Sequence, residues 1–135
     1  MDTRELSIDT TSRRFVDLTP DVATFCTDKG DGLLSVFAPH ATLGLALMEV
    51  GSGSEADLEA ALGRLLPRDV DYRHQHGSAG HGADHLMPAL ISPSLVIPVI
   101  GGRPALGAWQ SVVLVDLNAD NPRRVVRLSF LRAAS

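Results

Sequence analysis

Cysteine is almost absent from this sequence. Cys26 is the only one, which excludes an internal disulfide and any zinc knuckle built on cysteine. Aromatic residues are scarce at 4%, so the core has to be assembled mainly from Leu, Val and Ala. Long apolar runs are missing too: Leu86 to Ile100 is cut by Pro88, Pro93 and Pro98, short of the roughly 20 residues a membrane-spanning helix needs. Positive charge is thin. A formal net charge of -4 and arginines scattered apart from Arg123-Arg124 offer no basic field to a nucleic-acid backbone. Neither nucleic acid nor membrane is an expected partner. The opening Met1-Asp2-Thr3-Arg4-Glu5 lacks the apolar stretch of a secretory signal, and the expected location is the cytoplasm. A metal site in such a chain has to be made from histidines and carboxylates.

What is present suits one domain over residues 1–135 with 44% apolar side chains, enough to bury a core without covalent staples. Leu6 and Ile8 alternate weakly, as an edge strand does, and Phe15-Val16-Asp17-Leu18 begins or continues a second. Thr19-Pro20-Asp21 offers an N-cap, a proline at the first helical position and an early acid, predicting a short helix that closes at Gly30. Leu33 to Ala38 has strand length, and Leu43, Leu45 and Leu47 alternate with the period of a sheet. Ser54-Glu55-Ala56-Asp57 resembles a capping box ahead of a helical stripe of Leu58, Ala61, Leu62, Leu65 and Leu66 that ends at Pro67. Periodicity disappears from Arg68 to Ile91, a longer irregular stretch than the roughly 12 to 15 residues of ordinary long loops. Leu95 to Ile100, Ser111 to Leu117 and Val125 to Leu131 read as strands between turn signals. The expected class is α+β, with a mostly antiparallel or mixed sheet and two helices.

All five histidines lie between positions 40 and 85, four of them within residues 74–85. Neutral imidazole is a common nitrogen ligand for Zn, Fe, Ni and Cu, and the interspersed glycines let a loop fold so that several rings converge. His74 and His76 would share one side of an extended segment, and His81 and His85 one face of a helix. Spacing proposes both pairs and does not choose between them. The plain alternative is a solvated polar loop. His40, between two apolar strands, reads either as a ligand or as a hydrogen-bonded structural histidine. Glu49 is by default a surface carboxylate, and Trp109-Gln110 by default part of the packing.

Phe37-Ala38-Pro39-His40-Ala41-Thr42, Asp71-Tyr72-Arg73-His74, His85, Ser92-Pro93-Ser94-Leu95 and Gly107-Ala108-Trp109-Gln110 together resemble the YjbQ-like family. The resemblance runs from about Leu34 to Phe130 with compatible spacing. It implies a compact homotrimer of α+β subunits with a pocket near the subunit interface. It also implies a secondary thiamine-phosphate synthase, which joins a pyrimidine-methyl diphosphate to a thiazole phosphate. Carried over position by position, His40, His74 and His85 become ligands of a divalent metal, with zinc the first expectation. Glu49, Trp109 and Gln110 also match family positions; the expected catalytic residues are Glu49, Arg73 and Gln110, with Thr42, Arg103 and Trp109 contacting a small, phosphorylated substrate, Arg73 and Arg103 as the cations a departing diphosphate needs. Met48 and Val50 stand where the family has asparagines, and Ala41 where a hydroxyl is usual, so the pocket should be drier. His76 and His81 look like additions. Two further functional readings follow from the residues: metal-assisted hydrolysis, with three histidines leaving a position for water and Glu49 as base, and a non-catalytic trimer that binds a metal or a metabolite.

Overall fold

Alternation of buried and outward side chains builds most of the molecule, which a computed structural model describes over residues 1–135. The strands are β1 (Asp2–Asp9), β2 (Phe15–Asp17), β3 (Gly32–Phe37), β4 (Gly44–Met48), β5 (Ser94–Ile100), β6 (Arg103–Pro104), β7 (Ser111–Val115) and β8 (Arg123–Arg132). The helices are α1 (Thr19–Cys26), α2 (Ser54–Leu65) and α3 (His81–Leu90). The class is α+β, and every strand pairing is antiparallel. The strands divide into two sheets, ordered β1-β8-β3-β5-β6 and β2-β7-β4.

Cross-strand register decides which face is core. Leu34 sits opposite Phe130 and Ile97, and Val36 opposite Leu128; all five are buried, together with Val99 and Val126. The central strand of the smaller sheet is buried at four successive positions, Val112 to Val115, as expected where both faces are covered. Each such fully buried Leu, Val or Phe contributes roughly 1.5–3 kcal/mol relative to exposure. Helix α1 adds Val22, Phe25 and Cys26 to the same core. Edge strand β1 has only Leu6 and Ile8 half-buried, in line with its weak alternation.

The structure corrects four expectations. Thr19 is inside α1, not its cap: its hydroxyl accepts from the Val112 N–H at 2.9 Å and ties the helix to β7. That helix closes at Cys26, before Gly30. Ser54 does not cap α2 either; Gly53 takes the N-cap position with φ +94°, and Glu55 reaches back to accept from the Gly51 N–H at 3.2 Å. Third, the expected single sheet is two. Fourth, a third helix, α3, occupies the end of the stretch read as aperiodic.

Candidate metal centre

Helix α3 begins at His81, and its i, i+4 spacing places His81 and His85 on one face. The preceding segment, residues 66–80, folds back so that His74 and His76 lie against that face. The two pairs that looked like rivals are thus used together: one imidazole nitrogen from each of His74, His76, His81 and His85 lies within 4.8 Å of the others. Two glycines permit this approach. A Cβ on Gly82 would stand 2.7 Å from Cβ of Tyr72 and 2.9 Å from the carbonyl oxygen of His74. One on Gly77, which also has φ +81°, would stand 2.6 Å from the His81 ring.

Hydrogen bonding orients the buried ring. Nδ1 of His81 lies 2.7 Å from Oδ2 of Asp120, and a carboxylate can only accept, so Nδ1 carries the proton and Nε2 presents its lone pair. The Asn118 amide, 3.3 Å from the same nitrogen, donates to Oδ2 of Asp84 at 2.9 Å. Nε2 of His85 lies 2.8 Å from Nε2 of His81, so the two nitrogens address one point that only a proton or a cation fills without repulsion. Asp120 also accepts from the Ser78 N–H at 3.2 Å; its carboxyl is held below the usual range first by Ser78 and then by His81. Desolvation, followed by the neighbouring imidazoles, lowers the pKa of His74 and of His85. Both favour the neutral, metal-ligating form.

An ion pair braces the other side of α3. Arg68 forks onto Asp84, with Nη2 3.1 Å from Oδ2, and also reaches the Ala79 carbonyl at 3.4 Å. Asp84 is 2% exposed, so a charge there needs these partners.

The other expected site residues lie elsewhere in the chain. Nε2 of His40 accepts from the Val125 N–H at 2.9 Å, which occupies the lone pair a metal would use at that nitrogen. At that nitrogen His40 makes the hydrogen bond expected of a structural histidine. Burial, and secondarily the charge of Arg124, lowers its pKa. Thr42 is buried and accepts from Arg124 Nη2 at 2.9 Å, while Arg124 is forked onto Asp116 at 2.7 and 3.0 Å. Glu49 accepts from the Ser52 hydroxyl at 3.0 Å, and Gln110 from the Gly107 N–H at 2.8 Å. Arg73, Arg103 and Trp109 are exposed. None of these lines the open cavity of about 270 Å³ at the histidines, whose walls are formed by residues between Val70 and Gly82. Met48 and Val50 pack half-buried against the core.

Asp120, Asn118, Asp84 and Arg68 were not anticipated. Asn118-Ala119-Asp120 carried only a turn signal, and nothing in sequence spacing links it to a histidine 39 residues earlier. Chemically, the arrangement offers four imidazole rings, one of them backed by a carboxylate in the manner of metal-bound histidines, beside a solvent-accessible cavity.

The sequence pattern of the family described as UPF0047 protein YjbQ-like matches residues 4–133. A UPF0047 protein of Mycobacterium tuberculosis is 63% identical over 131 residues, 97% of this chain and 98% of the relative. One from Archaeoglobus fulgidus is 32% identical, covering 90% and 96% respectively. Among solved structures, a hypothetical protein of Aeropyrum pernix K1 superimposes with a TM-score of 0.87 at 31% identity, over 98% of this chain and all of that one.

Proposed function

Because this chain belongs to the YjbQ-like UPF0047 family, we propose that its function rests on one divalent transition metal held by His74, His76, His81 and His85. The observation that carries this reading is the convergence of the four rings, with Nε2 of His81 and Nε2 of His85 2.8 Å apart. His81 is buried and His85 half-buried beside the exposed His74 and His76, and a buried imidazole costs free energy unless its nitrogens are partnered. The ligand set differs from the expected triad: His74 and His85 stay, His76 and His81 join, and His40 leaves.

A four-nitrogen site with one side toward solvent favours binding of a metal, and of a small molecule reaching the metal through that cavity, over diphosphate transfer. Transfer needs cations aimed at the departing diphosphate, whereas Arg68 is committed to Asp84 and Arg73 and Arg103 lie off the cavity. Thiamine-phosphate synthesis has the family resemblance behind it, and hydrolysis with Glu49 as base has that carboxylate away from the histidine cavity. Assembly as a homotrimer and a cytoplasmic location belong to the same proposal.

Elemental analysis and metal titration of the intact protein test it. The expected outcome is one divalent ion per chain, lost or weakened by at least ~100-fold on His81→Ala or His85→Ala and unaffected by His40→Gln. Undiminished binding in both alanine variants would remove the reading.

A further inference from the structure

Three separate segments have to be held together for the four rings to converge. His81 and His85 ride on α3, His74 and His76 on the segment 66–80, and the carboxylate that orients His81 on the connection between β7 and β8, residues 116–122. All three meet at one pair of buried side chains, Asp84 and Asn118, which are 2% and 8% exposed. Asp84 belongs to α3. It accepts from Arg68 of the 66–80 segment at 3.1 Å and from Asn118 of the β7–β8 connection at 2.9 Å.

The Asn118 amide is not free to turn over. Its Oδ1 accepts from the backbone N–H groups of Asp120 at 3.0 Å and Asn121 at 3.2 Å, and its Nδ2 donates to Oδ2 of Asp84. An inverted amide would set its oxygen against a carboxylate and its NH2 against two N–H donors, turning each of these contacts repulsive. One side chain therefore does two things. The bonds at Oδ1 wind the chain into the tight turn that delivers Asp120 to Nδ1 of His81, 2.7 Å away. The bond at Nδ2 ties that turn to α3 about one helical turn beyond His81. The turn is itself anchored to the sheet: the Asn118 N–H donates to Oδ1 of Asp116 at 3.0 Å, and Asp116 is forked by the buried Arg124.

Resting on the four-imidazole reading above, we infer that Asn118 is the positioning residue of the histidine cluster. It fixes the distance between the Asp120 carboxylate and the face of α3 that carries His81, and so holds the His81 ring with Nε2 toward the other rings. Asn118 is not itself a ligand. Its contact with the cluster is at 3.3 Å, to Nδ1 of His81, the nitrogen already committed to Asp120. Asp84 is the partner through which it acts, and Arg68 supplies the opposite charge that lets Asp84 stay buried.

An exchange of chemistry between the two side chains tests this. Asn118→Asp keeps an acceptor for the turn but opposes Asp84 with a second carboxylate. Asp84→Asn alone weakens the hold of Arg68. Combined, the two substitutions reverse donor and acceptor: the new amide on α3 donates to the new carboxylate in the turn and still accepts from Arg68. Long-range nitrogen-15 spectra of the metal-free proteins read the His81 tautomer, and titration with zinc(II) reads affinity. The Nδ1–H tautomer is expected to be pure in the wild type, mixed in Asn118→Asp and pure again in the double variant. Zinc affinity should fall ~10-fold or more in each single variant and recover in the double variant. A pure tautomer in Asn118→Asp, a mixed one in the double variant, or losses that simply multiply within the roughly twofold scatter of independent sites would overturn the assignment. A wild type that takes up no divalent ion would instead remove the metal reading, and the tautomer series would still decide the role of Asn118. Should Asn118→Asp not fold, Asn118→Ser, which keeps an acceptor for the turn and loses the donation to Asp84, is read by the same tautomer criterion.

Discussion

At the scale of single residues, His81 is the most constrained side chain of the cluster. Asp120 at 2.7 Å accepts the Nδ1 proton, so Nε2 faces the other rings without the ring having to select a tautomer when an ion arrives. Asp120→Asn replaces a pure acceptor with a group that also donates. It is expected to lower metal affinity ~10- to 100-fold, the usual effect of losing the partner of a metal-bound histidine. Calorimetric titration checks the affinity, and long-range nitrogen-15 spectra of the metal-free protein read whether the His81 tautomer has become mixed. His40 carries a different expectation. Its folded pKa lies below the ordinary 6.5 because of burial first and Arg124 second, so the unfolded chain binds the proton more readily. Its contribution is whole above about pH 6.5 and is lost as pH falls toward the folded value. His74 and His85 add slopes of the same sign, so the informative quantity is a difference. Urea denaturation of wild type and His40→Gln at about pH 7 and about pH 5 should show a smaller acid loss in the variant. Equal losses would place the slope elsewhere. Histidine clustering is visible in the sequence. Which histidine leaves the cluster is not, because that depends on Val125 lying beside His40 across 85 positions.

At the scale of elements, α3 is a helix that its own residues do not favour. Gly82 lies in its first turn and Pro88 inside it; each is unfavourable in a helix interior, by about 1 and 3 kcal/mol relative to alanine. Packing outweighs this, since Ala83 and Met87 are buried and Asp84 is pinned by Arg68 and Asn118. Propensity hides this helix, and only its i, i+4 histidine pair hints at it. Gly82 is also where the loop carrying His74 rests on the helix. Gly82→Ala improves helix propensity by about 1 kcal/mol, yet its Cβ would meet the His74 carbonyl oxygen at 2.9 Å. The expected outcome is retained helical content in circular dichroism with metal affinity reduced by ~10-fold or more, as for other losses of ligand support. Unchanged affinity would mean that the loop does not need this close approach.

At the scale of the whole molecule, the five-stranded sheet has a second face. Leu33, Phe37, Val96, Ile100 and Leu131 are exposed there, with Leu33 directly opposite Leu131 and Pro98 in register. The homotrimer proposal would set a copy of the same chain against these apolar side chains. Light scattering at micromolar concentration should give a trimer mass. Val96→Glu, on that face and away from the core, should shift it toward the monomer with the fold retained. A monomeric wild type would refute the assembly. The α+β class, the strands flanking His40, the existence of helix α2 and the concentration of imidazoles were all determined by the sequence itself, because alternation, helical spacing and composition are local quantities read over a few residues. The division into two sheets, helix α3, the Asp120–His81 pair and the separation of His40 from the histidine cluster were decided only by tertiary structure. Each depends on which distant segments meet, and burial, register and hydrogen-bond satisfaction set those meetings over separations that no local pattern spans.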